Sequence, residues 1–231
     1  MLSFVIPAHN EERLLSSTIR AIRSALATLG EEYEVLVVDD DSSDRTANIA
    51  IDEGTKVISV RHRQIAATRH AGAYAARGDL LVFVDADTLI SAAVVREALD
   101  AVAQGAAGGA ALGVFDGELT YYAKAMTRLW SGLARSASLT TGCFLFCRRT
   151  AYEAVGGFDR SLFVFEDVAF GRSLRRAGRV VILRETVSTS GRNLRGHSLR
   201  DAGRMLLLLA RHRGAFFTSR DGLGYWYGSR R

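Results

Sequence analysis

Short apolar runs alternate with longer amphipathic segments in the first half of the chain. Each apolar run is rich in Val, Ile, Leu or Phe and bounded by polar residues, which predicts strands at residues 2–6, 34–38, 56–60 and 80–84. Continuous apolar strands are typical of a sheet buried on both faces. Between them, apolar residues recur at helical spacing and glycines follow, which predicts helices at 11–29, 44–53 and 64–77. We therefore predict an α/β fold with a Rossmann-like, largely parallel central sheet flanked by helices.

The second half has a less regular pattern. Helices are predicted at 91–104, 118–136, 149–155 and 167–177, a strand at 142–148, and no assigned element in the small-residue run 106–115. No linker separates the halves, so we expect a single domain over 1–231. Residues 199–213 form a basic amphipathic segment, which predicts either a terminal helix docked on the core or a helix lying on an anionic membrane.

Composition narrows the class of protein. The 231 residues are 48% hydrophobic with a single proline, as expected for a globular chain with a proper core. Thirty basic and 25 acidic residues give a net charge of +5, a modest excess without a nucleic-acid-binding motif, so we expect no nucleic-acid partner. We interpret Cys143 and Cys147 as small core residues in a reducing compartment.

The beginning of the chain is apolar but lacks a basic leader, so we expect a strand there and not a signal peptide. No stretch reaches the roughly 18 apolar residues that span a bilayer. We therefore expect a cytoplasmic protein, with peripheral contact to the inner membrane face through the C-terminal segment as the alternative placement.

Acidic and polar side chains follow three of the predicted strands. Asp85 and Asp87 come directly after the fourth strand, Asp39, Asp40 and Asp41 close the second, and the run 7–11 closes the first. The carboxyl ends of parallel strands meet at one edge of a sheet, so these groups should converge. Carboxylates packed together repel one another, which favours a cation or a hydrogen-bonding ligand between them. Two hard oxygen donors suit Mg or Mn, and such a cation in turn suits a diphosphate.

Seven segments resemble glycosyltransferase family 2, the inverting, nucleotide-sugar-dependent enzymes of the GT-A fold. The resemblance covers the chain to about residue 192, and the matching segments lie in the family's order at 4–11, 37–44, 69–72 with 77–79, 83–87, 141–143, 156–159 and 165–167. One segment departs from the family pattern, since His70 stands where the family usually has Asn. Residues 1–88 would then form the nucleotide-sugar-binding half, 89–197 the acceptor and catalytic half, and 198–231 the C-terminal helix and tail.

The resemblance implies how the donor is bound. Pro7, Ala8 and Glu11 would line the pocket for the base and ribose, and Asp40 would accept a hydrogen bond from the base imide. Asp85 would face the ribose and diphosphate.

The resemblance also implies charged partners for the diphosphate. Asp87 would ligate Mg or Mn, and His197 would complete the metal shell. Arg69 would pair with a carboxylate or the diphosphate through two parallel hydrogen bonds from its guanidinium. Arg192 or Arg195 would fold over the diphosphate.

Asp167 aligns with the aspartate that serves as general base in the family. An acceptor hydroxyl must lose its proton as it attacks the anomeric carbon, and a positioned carboxylate can take that proton. Glu166 has two alternative roles, acceptor binding or support of Asp167.

The predicted activity is transfer of a sugar from a nucleotide-diphosphate sugar to an acceptor hydroxyl, with a lipid-linked or small-molecule acceptor left open. One alternative is a non-catalytic module that holds a nucleotide sugar or docks on membranes. A less favoured alternative is a sugar nucleotidyltransferase, because that class opens with a glycine-rich basic loop and residues 8–12 are acidic. Nicotinamide and ATP-binding glycine motifs are also missing from the sequence.

Overall fold

The computed structural model describes residues 1–116, 132, 134–135, 139–140 and 142–191. Within these ranges the strands are β1 (Leu2–Ala8), β2 (Tyr33–Asp40), β3 (Lys56–Val60), β4 (Leu80–Val84), β5 (Thr88–Leu89), β6 (Gly108–Phe115), β7 (Phe144–Arg148) and β8 (Val180–Thr189). The helices are α1 (Leu15–Leu29), α2 (Thr46–Asp52), α3 (Ile65–Ala75), α4 (Ala92–Ala103), α5 (Arg149–Ala154) and α6 (Glu166–Leu174). None of these helices has the length and hydrophobicity required to cross a membrane.

The strands form one sheet in the order β3-β2-β1-β4-β7-β6-β8-β5. Strands β1 to β4 pair in parallel, and β6 pairs in parallel with β8. Strand β7 runs antiparallel to both β4 and β6, and β5 runs antiparallel to β8. The predicted Rossmann-like sheet is confirmed, with antiparallel strands added in its second half.

A hydrophobic core lies on each face of the sheet because side chains alternate along its strands. On β2, Val35 and Val37 belong to the core beneath α1 and α4, whereas Leu36 and Val38 belong to the core beneath α3 and α6. The same alternation directs Asp39 and Asp40, which follow Val38, to opposite faces. Gly72 brings α3 very close to the sheet, since a Cβ atom there would collide with the side chains of Val5 and Val38.

The four predicted strands of the first half are confirmed, and two of them run further toward their carboxyl ends, to Ala8 and Asp40. Helix α1 begins at Leu15, later than predicted, because residues 12–14 form a turn. Three strands carried no prediction: the two-residue β5, β6 in the small-residue run, and β8. In β6 and β8, the alternation between buried and exposed positions is weak.

Two predictions fall largely or wholly outside the described residues: the helix at 118–136 and the C-terminal segment 198–231. The division into 1–88, 89–197 and 198–231 stays a prediction.

Candidate active site

Arg69, on α3, lies at the centre of the candidate site with its side chain only 1% exposed. Its Nη1 donates to Glu166 Oε1 at 2.7 Å, and its Nη2 donates to Asp85 Oδ1 at 2.8 Å. Nη2 also donates to the carbonyl oxygen of Gly142 at 3.1 Å. One guanidinium therefore joins the end of β4, the start of α6 and the segment before β7.

The guanidinium also packs against a pair of stacked aromatic rings. Its central carbon lies 5.6 Å from the centre of the Phe158 ring, and that ring stacks on Phe170 with centroids 4.2 Å apart. Burial alone would lower the pKa of Arg69, but the carboxylates of Asp85, Glu166 and Asp167 outweigh it and raise the pKa. Arg69 is thus a fixed positive charge among three acids.

Asp167, in the first turn of α6, is partly exposed. Its Oδ1 accepts a hydrogen bond from the Val168 amide at 2.7 Å. A Cβ atom at Gly142 would lie 2.9 Å from Arg69 Nη2 and 3.3 Å from Asp167 Oδ2, so glycine allows this close approach. Burial raises the pKa of Asp167, and the positive charge of Arg69 opposes that rise.

Glu166 precedes Asp167 and is more deeply buried, with 9% of its side chain exposed. Burial, reinforced by the charge of Asp167, raises the pKa of Glu166 to about 7 despite its ion pair with Arg69. Of the two alternatives for Glu166, the contacts agree with support of the Asp167 segment through Arg69.

The Asp85–Asp87 segment is held by strands of the second half. The Asp85 amide donates to the Cys143 carbonyl oxygen at 3.3 Å, and the Ser190 amide donates to the Asp87 carbonyl oxygen at 3.3 Å. The Thr189 hydroxyl donates to Asp87 Oδ1 at 3.4 Å. In the described part of the chain, no three His, Cys, Asp or Glu side chains cluster closely enough to form a metal site from protein groups alone.

Asp40, which is 5% exposed, has four hydrogen-bond donors around its carboxylate. Oδ1 accepts the amides of His62 and Arg63 at 2.7 and 2.8 Å, and Oδ2 accepts the Gln64 amide at 3.1 Å and the Thr68 hydroxyl at 2.7 Å. A carboxylate offers about four acceptor positions. Asp40 therefore holds the β3–α3 loop, which leads into the helix that carries Arg69.

Asp39 faces the opposite side of the sheet from Asp40 and is 7% exposed. Its Oδ1 is buried without a hydrogen-bond partner among the described residues. A buried unpaired carboxylate oxygen is costly and marks a place where a polar ligand would be stabilised. No separate role was predicted for Asp39, and its position beside Asp40 in a run of three acids is the only sequence signal for one.

With this geometry in view, the sequence profile described as "Glycosyl transferase family 2" matches residues 3–156. The chain belongs to glycosyl transferase family 2.

Several solved structures have a similar fold. S. aureus TarS residues 1–349 matches with a TM-score of 0.64 at 18% identity, over 83% of this chain and 61% of that one. The mannosyltransferase PcManGT of Pyrobaculum calidifontis, in complex with GDP-Man and Mn2+, matches with a TM-score of 0.66 at 18% identity, over 82% and 56%. This chain thus spans less than two thirds of either protein.

A third structure, mannosyl-3-phosphoglycerate synthase from Rubrobacter xylanophilus, matches with a TM-score of 0.59 at 21% identity. The match covers 96% of this chain and 76% of the synthase chain. The GT-A fold expected from the sequence is confirmed by these neighbours.

Other residues predicted from the family 2 resemblance lie at the same edge of the sheet. Pro7 pairs with Val38 and Ala8 pairs with Asp39 across β1 and β2. Glu11, 2% exposed, follows them in the β1–α1 turn. The pocket wall predicted for the first strand therefore adjoins the ends of β2.

Arg192, Arg195 and His197, which the resemblance assigned to the diphosphate and the metal shell, lie outside the described residues, so their assignments stay predictions.

His70, which departs from the family pattern, has a defined contact: its Nδ1 lies 3.0 Å from the Tyr152 hydroxyl. Burial lowers the pKa of His70, which favours the neutral ring in that hydrogen bond.

Proposed function

We propose that this chain is an inverting glycosyltransferase that moves a sugar from a nucleotide-diphosphate sugar to an acceptor hydroxyl. The observation that carries the proposal is the pairing of Arg69 with both Asp85 and Glu166, at 2.8 and 2.7 Å. This pairing links the acidic end of β4 to the helix turn that contains Asp167. In a family 2 chain, these are the places where a donor diphosphate and a general base are needed.

The donor would lie along the carboxyl ends of β1, β2 and β4. Pro7, Ala8 and Glu11 would border the base and ribose, and Asp85 would face the ribose and diphosphate. Two nucleotide sugars, the UDP-GlcNAc bound to TarS and the GDP-Man bound to PcManGT, define the donor classes to test first.

Base recognition by Asp40 stays part of the proposal in a narrower form. Its four acceptor positions already receive three amides and a hydroxyl, so a base N–H would have to share an oxygen with one of them. Asp39, whose Oδ1 is buried and unpaired among the described residues, is the competing carboxylate at the same strand end.

Asp167 would act as the general base. As the acceptor oxygen bonds to the anomeric carbon, the bond from that carbon to the donor diphosphate breaks, and the acceptor proton passes to the Asp167 carboxylate. The nucleoside diphosphate leaves with the electrons of the broken bond. Burial raises the pKa of Asp167, which makes its ionised form a better proton acceptor once it is formed.

Asp87 would hold a divalent cation, Mg or Mn, together with phosphate oxygens of the donor. A single carboxylate suits this task because Mg usually keeps waters and substrate phosphates among its ligands. When bound, the cation would neutralise charge on the departing diphosphate. His197 is the second proposed protein ligand.

Removal of the cation tests this part directly. We expect excess EDTA to abolish turnover, and Mn2+ to restore it, in the wild-type protein. The Asp87→Asn variant should lose the Mn2+-dependent gain in UDP affinity measured by calorimetry. Turnover and UDP affinity that are both insensitive to EDTA would show that the assignment of Asp87 is wrong.

The catalytic assignment is tested with Asp167→Asn. Nucleoside diphosphate release from UDP-GlcNAc and GDP-Man, with Mn2+ present, measures transfer to acceptor or water without knowledge of the acceptor. We expect turnover to fall by about 10²- to 10⁴-fold, the usual contribution of general base catalysis. The matched control is Asp79→Asn, a 92% exposed aspartate that should leave turnover unchanged. Near wild-type turnover in Asp167→Asn would remove Asp167 from the base role.

The pH dependence follows from the raised pKa of Asp167. Its ordinary value is 3.8, and only the ionised carboxylate accepts a proton. Turnover should therefore fall as the pH drops through a value above 3.8, and this acidic limb should be missing from the residual activity of Asp167→Asn. An acidic limb that is unchanged in the variant would assign the limb to another group.

A further inference from the structure

Thr140 precedes β7 and is 1% exposed. Its hydroxyl donates a hydrogen bond to the main-chain carbonyl oxygen of Asp167 at 2.6 Å. That carbonyl lies in the first turn of α6. Its carbon is bonded directly to the Cα that carries the Asp167 side chain. A bond at this point therefore constrains where the carboxylate can lie.

Gly171, four residues after Asp167 on the same helix, makes room for this contact. A Cβ atom at Gly171 would collide with the Thr140 hydroxyl and lie 2.7 Å from its methyl carbon. Glycine inside a helix costs about 0.5–1 kcal/mol relative to alanine. The close approach of the Thr140 side chain gives a physical reason for a glycine in the middle of α6.

The segment that carries Thr140 also reaches the donor side of the site. Within it, the Gly142 carbonyl accepts from Arg69 at 3.1 Å, and the Cys143 carbonyl accepts from the Asp85 amide at 3.3 Å. Strand β7 then continues from this segment and pairs with β4. Thr140, Gly142 and Cys143 thus contact the first turn of α6, Arg69 and the end of β4, respectively.

We propose that Thr140 is a positioning residue, which holds the first turn of α6 through the Asp167 carbonyl and so aligns the general base with the donor end of β4. Gly171 supplies the space for its side chain. This inference rests on the proposed function, since it requires Asp167 to be the base.

The test compares Thr140→Val, which removes the hydroxyl at nearly constant volume, with Thr140→Ser, which keeps it. For donor turnover by nucleoside diphosphate release, we expect kcat to fall about 10- to 100-fold in Thr140→Val, the range for misalignment of a reacting group by about 1 Å. KM for the donor should change less than about twofold, because no donor contact is removed. Thr140→Ser should restore kcat to near the wild-type value.

Crystal structures of both variants give a readout that needs no donor. We expect the Asp167 carboxylate to move relative to Arg69 in Thr140→Val and to keep its place in Thr140→Ser. Gly171→Ala keeps the hydroxyl but crowds it, and should reproduce the kcat loss. If Thr140→Val does not fold, Gly171→Ala decides the question.

The result that would overturn the inference is a folded Thr140→Val, or in its place a folded Gly171→Ala, with wild-type kcat and an unmoved Asp167. Asp167→Asn measured in parallel separates the two proposals. If Asp167→Asn retains turnover, the proposed function fails whatever Thr140 does. If Asp167→Asn loses turnover but Thr140→Val does not, only the positioning role fails.

Discussion

Two carboxylates at the same edge of the sheet, Asp40 and Asp167, have opposite surroundings. Asp40 is buried, and its two oxygens receive three amides from the β3–α3 loop and the hydroxyl of Thr68. Asp167 is partly exposed, with Val168 as an amide donor and the fixed charge of Arg69 nearby. A carboxylate whose acceptor positions are filled by its own chain stabilises the loop that it binds, whereas a partly exposed carboxylate near a buried positive charge is suited to proton transfer.

The largest effect expected from this difference concerns Arg69, the charge beside Asp167. Arg69→Met keeps most of the volume but leaves Asp85 and Glu166 without their cation. Removing one partner of a buried ion pair costs about 3–5 kcal/mol, so we expect the free energy of unfolding in urea to fall by that amount. Arg69→Lys, which keeps the charge but loses the planar fork, should fall between wild type and Arg69→Met. A loss below about 1 kcal/mol would show that the pairing does little to hold the site together.

A smaller effect is expected at Asp40. Asp40→Ala leaves three amides of the β3–α3 loop without their acceptor, and leaving buried donors unsatisfied costs about 1–3 kcal/mol. We expect the free energy of unfolding to fall by about 2 kcal/mol, the middle of that range.

The matched control for Asp40 is Asp41→Asn, since Asp41 is 47% exposed and its ion pairs with Arg61 and Arg63 span 3.6 and 3.8 Å. Asparagine also tolerates the positive φ of 59° at this position. This variant should change the free energy of unfolding by less than about 0.5 kcal/mol. If Asp40→Ala kept wild-type stability while UDP binding disappeared, Asp40 would be a donor ligand and its contrast with Asp167 would fail.

The smallest effect is expected outside both carboxylate environments, at Tyr152. Tyr152→Phe loses the 3.0 Å hydrogen bond to His70 but keeps the ring in its aromatic cluster. We expect a loss of about 1 kcal/mol in the free energy of unfolding. Turnover per folded molecule should be unchanged, since none of the three acids around Arg69 is affected. A drop in turnover without a drop in stability would extend the catalytic unit to this pair.

Much of the fold was predictable because the strands of the parallel half are continuous apolar runs with glycines after the intervening helices. The order of acidic motifs also predicted which strand ends belong to one site. Strand β8 escaped prediction, because its sequence mixes charged and β-branched residues and its exposed positions do not alternate regularly.

The residues of the candidate site were named from the resemblance, and their roles stay predictions, but most of their contacts could not be predicted. The resemblance offered a carboxylate or the diphosphate as the partner of Arg69, and only packing shows it bound to Asp85 and Glu166. The binding of the β3–α3 loop and Thr68 by Asp40 depends on contacts across 22 to 28 residues, which no local pattern contains. No role could be predicted for Thr140, since a single threonine in a connecting segment has no distinguishing pattern. Its role follows only from the hydrogen bond that its hydroxyl donates to the Asp167 carbonyl oxygen.

The most direct test of the central claim is a crystal structure of this chain with UDP and Mn2+. We expect the uracil base at the ends of β1 and β2 and the diphosphate beside Asp85 and Asp87. The Asp167 carboxylate should face the space beyond the terminal phosphate. A nucleotide bound away from these strand ends, or Asp167 turned away from the diphosphate, would contradict that claim.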